Sequence, residues 1–182
     1  MLSTVDKLKT HLGITATTYD SVLTQIMGQV DAHIKKILVR EVEEYEYIDD
    51  IYDGDREFIQ LKDTNLSKSD FTFQYNKGDS ETEDWETVPR TDYELYYDLG
   101  VIRMNTAYTG NRIFKINYTA GDDDVAEDLQ MLLIRLSAKI YNKRKSEGTS
   151  NESLENISFG WNKLIAPEDK DVLENHKLKF FV

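Results

Sequence analysis

The hydrophobic period of this chain changes twice, and that constrains its fold more than any single motif. In TTYDSVLTQIMGQVDAHIKKILVR (Thr17–Arg40), apolar residues fall at Val22, Leu23, Ile26, Met27, Val30, Ile34, Ile37 and Leu38. This is the i, i+3/i+4 spacing of a long amphipathic helix. From Glu41 to Tyr118 the period drops to two in short runs between turn residues, including REFIQLK, FTFQY and RIFKINYT. After Gly121 the helical spacing returns at Val125, Ala126, Leu129, Leu132, Leu133, Leu136 and Ile140. One layer cannot serve both periods, so the chain is expected to be α+β: a helical core of two long helices plus a short N-terminal helix, an antiparallel β insertion and a C-terminal tail.

Local signals divide this plan into four parts: residues 1–40, the first helices; 41–119, the β insertion; 120–147, the second long helix; and 148–182, a linker and tail for partner docking. Ser3 is expected to cap a helix running to about Leu12, with Gly13 at its C-cap. Asp20 stands near the start of the next helix, with Lys35, Lys36 and Arg40 near its end, as the macrodipole prefers. In FTFQY, Phe71, Phe73 and Tyr75 share a face; DYELYYDLGVIRMN reads as two strands about Asp98-Leu99-Gly100. The β region is expected to be a meander or small barrel.

Asp122, Asp123 and Asp124 follow a strand and Gly121. They are expected to be the N-cap and first-turn acids of a helix, with Glu127 or Asp128 adding a second acidic turn. Met131 and Ile134 widen that helix's stripe, which suggests more than one packing neighbour, with a subunit boundary as one place to find it. SEGTSNES is a polar connector, and Pro167 stands at N1 of a short final helix.

Composition narrows the chemistry. A chain of 182 residues fits one domain with room for a small appendage, and 40% hydrophobic residues can form a core. There is no cysteine, which excludes disulfides and thiolate zinc sites. The opening MLSTVDKLKTHLG has no apolar run, so no signal peptide is expected, and no window suggests a membrane span. The net charge of −12 disfavours tight nucleic-acid binding, while suiting a wall past which DNA must slide.

No catalytic or metal site stands out. His11, His33 and His176 form no zinc pattern. DDIYDGD (Asp49–Asp55) lacks calcium-loop spacing and reads as an acidic strand end with a turn. Phosphate-binding glycine loops and nucleophile elbows are absent. Trp85, Tyr93, Tyr96, Tyr97 and Tyr108 could line a sugar groove, but fit the core of a small sheet better. No cofactor and no enzyme activity are expected.

The order of elements carries a resemblance. LKTHLGITATTYDSVLTQIMGQVDAHIKKIL (Leu8–Leu38), YDLGVIRMN (Tyr97–Asn105), INYTAGDDDVAEDLQMLLIRLSAKIY (Ile116–Tyr141) and ISFGWNKLIAPEDKDVLENHKL (Ile157–Leu178) together resemble the head–tail connector, or adaptor, proteins of tailed bacteriophages. That resemblance implies a structural virion protein of the neck, assembled in the host cytoplasm. It would form a ring, commonly of twelve copies, under the portal protein, extending the DNA channel and attaching the next neck or tail protein. DNA would pass without specific binding, and no membrane is involved. The tail typically reaches the portal, which here implies Trp161, Leu164, Ile165, Leu173, Phe180 and Phe181 as apolar anchors. Two other readings are another phage neck or tail-completion protein and a glycan- or protein-binding β module.

Overall fold

The structure is a computed structural model and describes residues 1–78, 83–146 and 164–178. Where length leads to one domain, the chain divides into two compact units. A helical unit comprises residues 1–39 and 124–177, and a β unit comprises residues 40–123 with residues 178–182. The architecture is α+β, with four α-helices among the described residues and antiparallel sheets.

The helical unit holds α1 (Val5–Leu12), α2 (Asp20–Leu38), α3 (Glu127–Ser146) and α4 (Pro167–His176). The cap of α1 is Thr4, not Ser3: its hydroxyl accepts from the Lys7 N–H at 3.4 Å, and Ser3 is buried. Gly13 closes α1 at φ +66°, a left-handed conformation that favours glycine. Lys9 pairs with Asp20 at 2.7 Å, fixing α1 to the start of α2. The Asp31 carboxylate on α2 accepts from the Leu2 N–H at 2.7 Å.

The apolar stripe of α2 is fully buried at Leu23, Ile26, Met27, Val30, Ile34 and Leu38. Each such side chain contributes about 1.5–3 kcal/mol of burial free energy. Helix α3 packs against α1, α2 and α4. Leu129, Leu132, Leu133, Leu136 and Ile140 are buried, and so is Ile134. The width of its stripe serves three helices of the same chain, and of that stripe Met131 stays exposed.

The Asp122–Asp124 run does not start α3, which begins at Glu127 with Glu127 and Asp128 in its first turn. Asp122 is held by long-range contacts that compete with a cap: its N–H donates to the Val42 carbonyl at 2.7 Å, and its carboxylate serves Arg40 and Asn65.

The β unit carries β1 (Tyr45–Tyr52), β2 (Phe58–Gln60), β3 (Thr72–Asn76), β4 (Trp85–Thr87), β5 (Tyr93–Tyr96), β6 (Val101–Met104) and β7 (Phe114–Ala120). The strands form two sheets, in the orders β1-β7-β3-β4 and β2-β6-β5. This is no simple meander: β7 enters between β1 and β3, pairing Tyr47 with Tyr118 on one side and Phe73 with Ile116 on the other. The alternation in the sequence matches the burial. Ile59 and Leu61 are inside with Phe58 outside, and β7 buries Phe114, Ile116, Tyr118 and Ala120. Phe73 anchors the aromatic core, with ring centroids 5.0 Å from Tyr93 and 4.9 Å from Phe114. Phe71 and Tyr75 pack partly buried against the same core.

Candidate functional site

The β unit is closed at its base by a charged clasp. Arg40 enters the unit and Asp122 leaves it, and the two meet: Arg40 Nη2 donates to Asp122 at 3.2 Å. Arg40 Nε lies 2.8 Å from Asp63, whose side chain is fully buried. Asp63 also accepts from the N–H groups of Glu41 at 3.2 Å and Thr64 at 2.8 Å, and from the Tyr47 hydroxyl at 3.4 Å. Burial pushes the Asp63 carboxyl above its ordinary range, against the pull of Arg40 and the backbone donors. Two glycines let the backbone close here. A Cβ on Gly100 would stand 1.9 Å from the Asp63 carbonyl oxygen, and one on Gly121 2.3 Å from that of Glu43. The arrangement joins the two segments that cross here, with Arg40 ion-paired to both Asp63 and Asp122.

A second polar cluster lies between β1 and β7. Tyr47 stacks on Tyr118 at 4.7 Å. The Tyr52 and Tyr118 hydroxyls both donate to Asp50, at 2.8 and 3.2 Å, and Lys62 pairs with the same carboxylate. Burial first pushes Tyr47, Tyr52 and Tyr118 well above the ordinary phenol range; nearby acids add to the rise, while the hydrogen bond from Tyr118 works against it at Tyr52. Tyrosines held this firmly protonated suit structure rather than proton transfer. The acids of DDIYDGD are likewise engaged: Asp53 accepts from the Arg112 N–H at 2.9 Å and Asp55 from the Gly110 N–H at 3.0 Å. Among the described residues no group of three or more His, Asp or Glu is placed to hold a metal ion. Among those residues, too, no helix is long and apolar enough to cross a membrane.

The aromatic residues considered for a sugar groove are mostly committed to packing. Tyr93 is buried, and Tyr97 and Tyr108 pack against the core. One face of Trp85 is covered by Lys115, whose Nζ lies 4.4 Å from the ring centroid. Tyr96 is exposed on the three-stranded sheet, as are Phe58 and, in the turn after β5, Leu99.

Three of the six proposed tail anchors lie among the described residues. Leu173 is buried at 3% exposure, on a helix packed against α2 and α3. Leu164 and Ile165 are half-buried. Trp161, Phe180 and Phe181 lie outside the described residues. What holds α4 is a set of charges not singled out in the sequence. Asp169 is 1% exposed, pairs with Arg135 at 2.7 Å and Lys139 at 3.4 Å, and accepts from the Ala166 N–H at 3.0 Å. His176 meets Asp128 at 2.9 Å. The helical spacing Arg135/Lys139 opposite an acid three residues after a cap position was the signal available for this site.

Charge is distributed unevenly between the units. Residues 40–123 and 178–182, which make up the β unit, hold 21 of the 34 acidic residues and 10 of the 22 basic ones, a net charge of −11. Residues 1–39 and 124–177 hold 13 acidic and 12 basic residues, a net charge of −1. The acidity of the chain is therefore a property of the β unit.

With this geometry described, comparison with known proteins gives a class. Residues 100–175, from β6 to α4, match the family of phage gp6-like head-tail connector proteins. The resemblance read from the sequence to head–tail connectors is borne out in that region. Solved structures extend the likeness in fold. A chain from the neck of an empty GTA particle, computed with C6 symmetry, aligns over 100% of this chain and 92% of its own, with a TM-score of 0.59 at 14% identity. A chain from the neck of a native GTA particle, computed with C12 symmetry, aligns over 98% and 90%, with a TM-score of 0.56 and 14% identity. A chain of the virion of a native gene transfer agent (GTA) particle aligns over 100% and 92%, with a TM-score of 0.54 and 14% identity. No curated protein matches the sequence.

Proposed function

We propose that this chain is a structural head–tail connector of a tailed phage or phage-like particle. In this reading it resides in the virion neck, forms a ring under the portal, extends the DNA channel and attaches the next neck or tail protein. The observation that carries the reading is the family match over β6 to α4, a segment that runs from the β unit into the helical unit. The near full-length likeness to neck chains supports it. The clustered polar groups are turned to one another, which suits a scaffold and gives no reason to invoke catalysis.

The ring has twelve copies in this reading, in keeping with the C12 and C6 symmetries of the similar necks. The tail makes the portal contact, through Trp161, Phe180 and Phe181 with the half-buried Leu164 and Ile165. Leu173 takes part by holding α4 in place from within. Purified chain mixed with portal protein is expected to give rings on the portal by electron microscopy. Particles lacking the chain are expected to lose packaged DNA and fail to join tails. Normal tail joining without it would end the proposal. Photo-cross-linkers at Phe180 and Phe181 are expected to capture portal, and capture of none would remove the tail assignment.

A further inference from the structure

The helical period of α2 does not end where the helix does. Ile34, Leu38, Val42 and Tyr45 stand at spacings of four, four and three, so one apolar stripe runs past Leu38, the last residue of α2, to the first residue of β1. The stretch VREVEE (Val39–Glu44) holds no glycine, proline or asparagine, the residues that most often stop a helix. The helix stops all the same, and on strained backbone. Val39 closes α2 at φ +60°, and Val42 lies at φ +72°. Both are left-handed, where a β-branched side chain is most disfavoured. The same position after α1 is taken by Gly13.

Strain of this kind persists only where the surroundings hold it. Asp63 accepts from the Glu41 N–H at 3.2 Å, a donor that a continued helix would direct to the Ile37 carbonyl. Asp63 and Asp122 hold the Arg40 guanidinium between them. The Val42 carbonyl accepts from the Asp122 N–H at 2.7 Å. The local sequence of Val39–Glu44 favours one conformation and contacts from far along the chain impose another, which is the condition for a two-state element.

We propose that Val39–Glu44 is a conformational switch. With the Arg40 clasp closed it is a strained stop; with the clasp released it continues α2 through Glu44, lengthening the helix by about 9 Å. In the second state Val39 and Val42 take ordinary helical backbone, and Val42 falls on the stripe of Ile34 and Leu38. The strand β1 begins at Tyr45 and is not consumed. Extension loses the clasp and the burial of Val42, which is 1% exposed. It also sets Glu41, Glu43 and Glu44 in a last turn, where acids oppose the macrodipole. These losses make the extended state the minor one, and cations brought to those acids favour it.

Chemical-exchange NMR on the full chain tests this at exposed positions, where little packing is lost. Val39 is 47% exposed, and Glu44 is exposed. In the parent chain, Arg40 to Glu44 are expected to exchange with a state of helical Cα shifts, populated at about 0.1–10%. Val39→Gly removes the strain of the stop and weakens the helix, and is expected to lower that population about tenfold or more. Val39→Leu/Glu44→Lys keeps the strain, favours the helix and places a cation in its last turn; the population is expected to rise about fivefold. Asp122→Asn weakens the clasp and is expected to raise it too. Helical shifts absent from the parent and from both promoting variants overturn the proposal, as does a population that Val39→Gly leaves unchanged or raises. A Val39→Gly chain more stable to urea, with no exchanging helical state in any variant, shows a strained cap without a switch and overturns it as well.

Discussion

Asp63 has no solvent exposure, yet the sequence around it, LKDTN, looks like any polar turn. Its carboxylate meets Arg40, two backbone N–H groups and a tyrosine hydroxyl. Removing one partner of a buried pair leaves the other charge without compensation, at a cost of about 3–5 kcal/mol. Asp122 stays with Arg40 and softens the loss. Asp63→Ala is therefore expected to lower stability by about 3 kcal/mol in urea unfolding. Arg40→Met/Asp63→Leu is expected to cost less than the single change, because no buried charge is then left alone. Equal losses in a double-mutant cycle would show that Asp63 acts through its backbone contacts instead. Nothing local in the sequence marks this site. Arg40 reads as a helix-end cation and Asp122 as a helix cap, and only the meeting of two segments far apart in sequence gives them each other.

At the scale of elements, α4 is held by side chains as well as by the burial of Leu173. Asp169→Ala removes the partner of Arg135 and Lys139 and the acceptor for the Ala166 N–H. Both cations are about 40% exposed, so water recovers part of the loss, and the expected cost is about 2 kcal/mol. Hydrogen exchange is expected to rise in α4 and to stay unchanged in β1 and β7. The β1–β7 pair has its own signature. Tyr47, Tyr52 and Tyr118 have folded pKa values raised above the unfolded value of about 10. A raised acid holds its proton more tightly in the fold. Its contribution is complete below pH about 10 and is lost as pH rises beyond that value. Tyrosinate absorbance from these rings is expected to appear together with loss of β structure in an alkaline titration; ionisation in an intact sheet would contradict the burial.

Much of this level was readable beforehand. The periods at Val22–Leu38 and Val125–Ile140 locate α2 and most of α3, and the alternation about Gly100 locates β5 and β6. The start of α3 and the entry of β7 between β1 and β3 were not, because both depend on contacts far apart in sequence: Gly121 against Glu43, and Ile116 against Phe73.

For the whole molecule the net charge is −12, of which −11 belongs to the β unit, counted with residues 178–182, and −1 to the helical unit. Like charges confined to the β unit oppose its compact state, and they do so less as salt screens them. The helical unit, at −1, has no such term. Each unit has its own buried core, so each can report its own transition. Calorimetry from 0.01 to 0.3 M NaCl is expected to move the β-unit transition upward. The scale is about 4–8 °C for each kcal/mol of repulsion relieved in a domain of this size. The helical transition, followed by circular dichroism at the helix band, is expected to move by much less. If both transitions rise together, the salt acts through general stabilisation of packing and not through the charge of the β unit. If the helical transition alone rises, the assignment of the charge to stability is reversed.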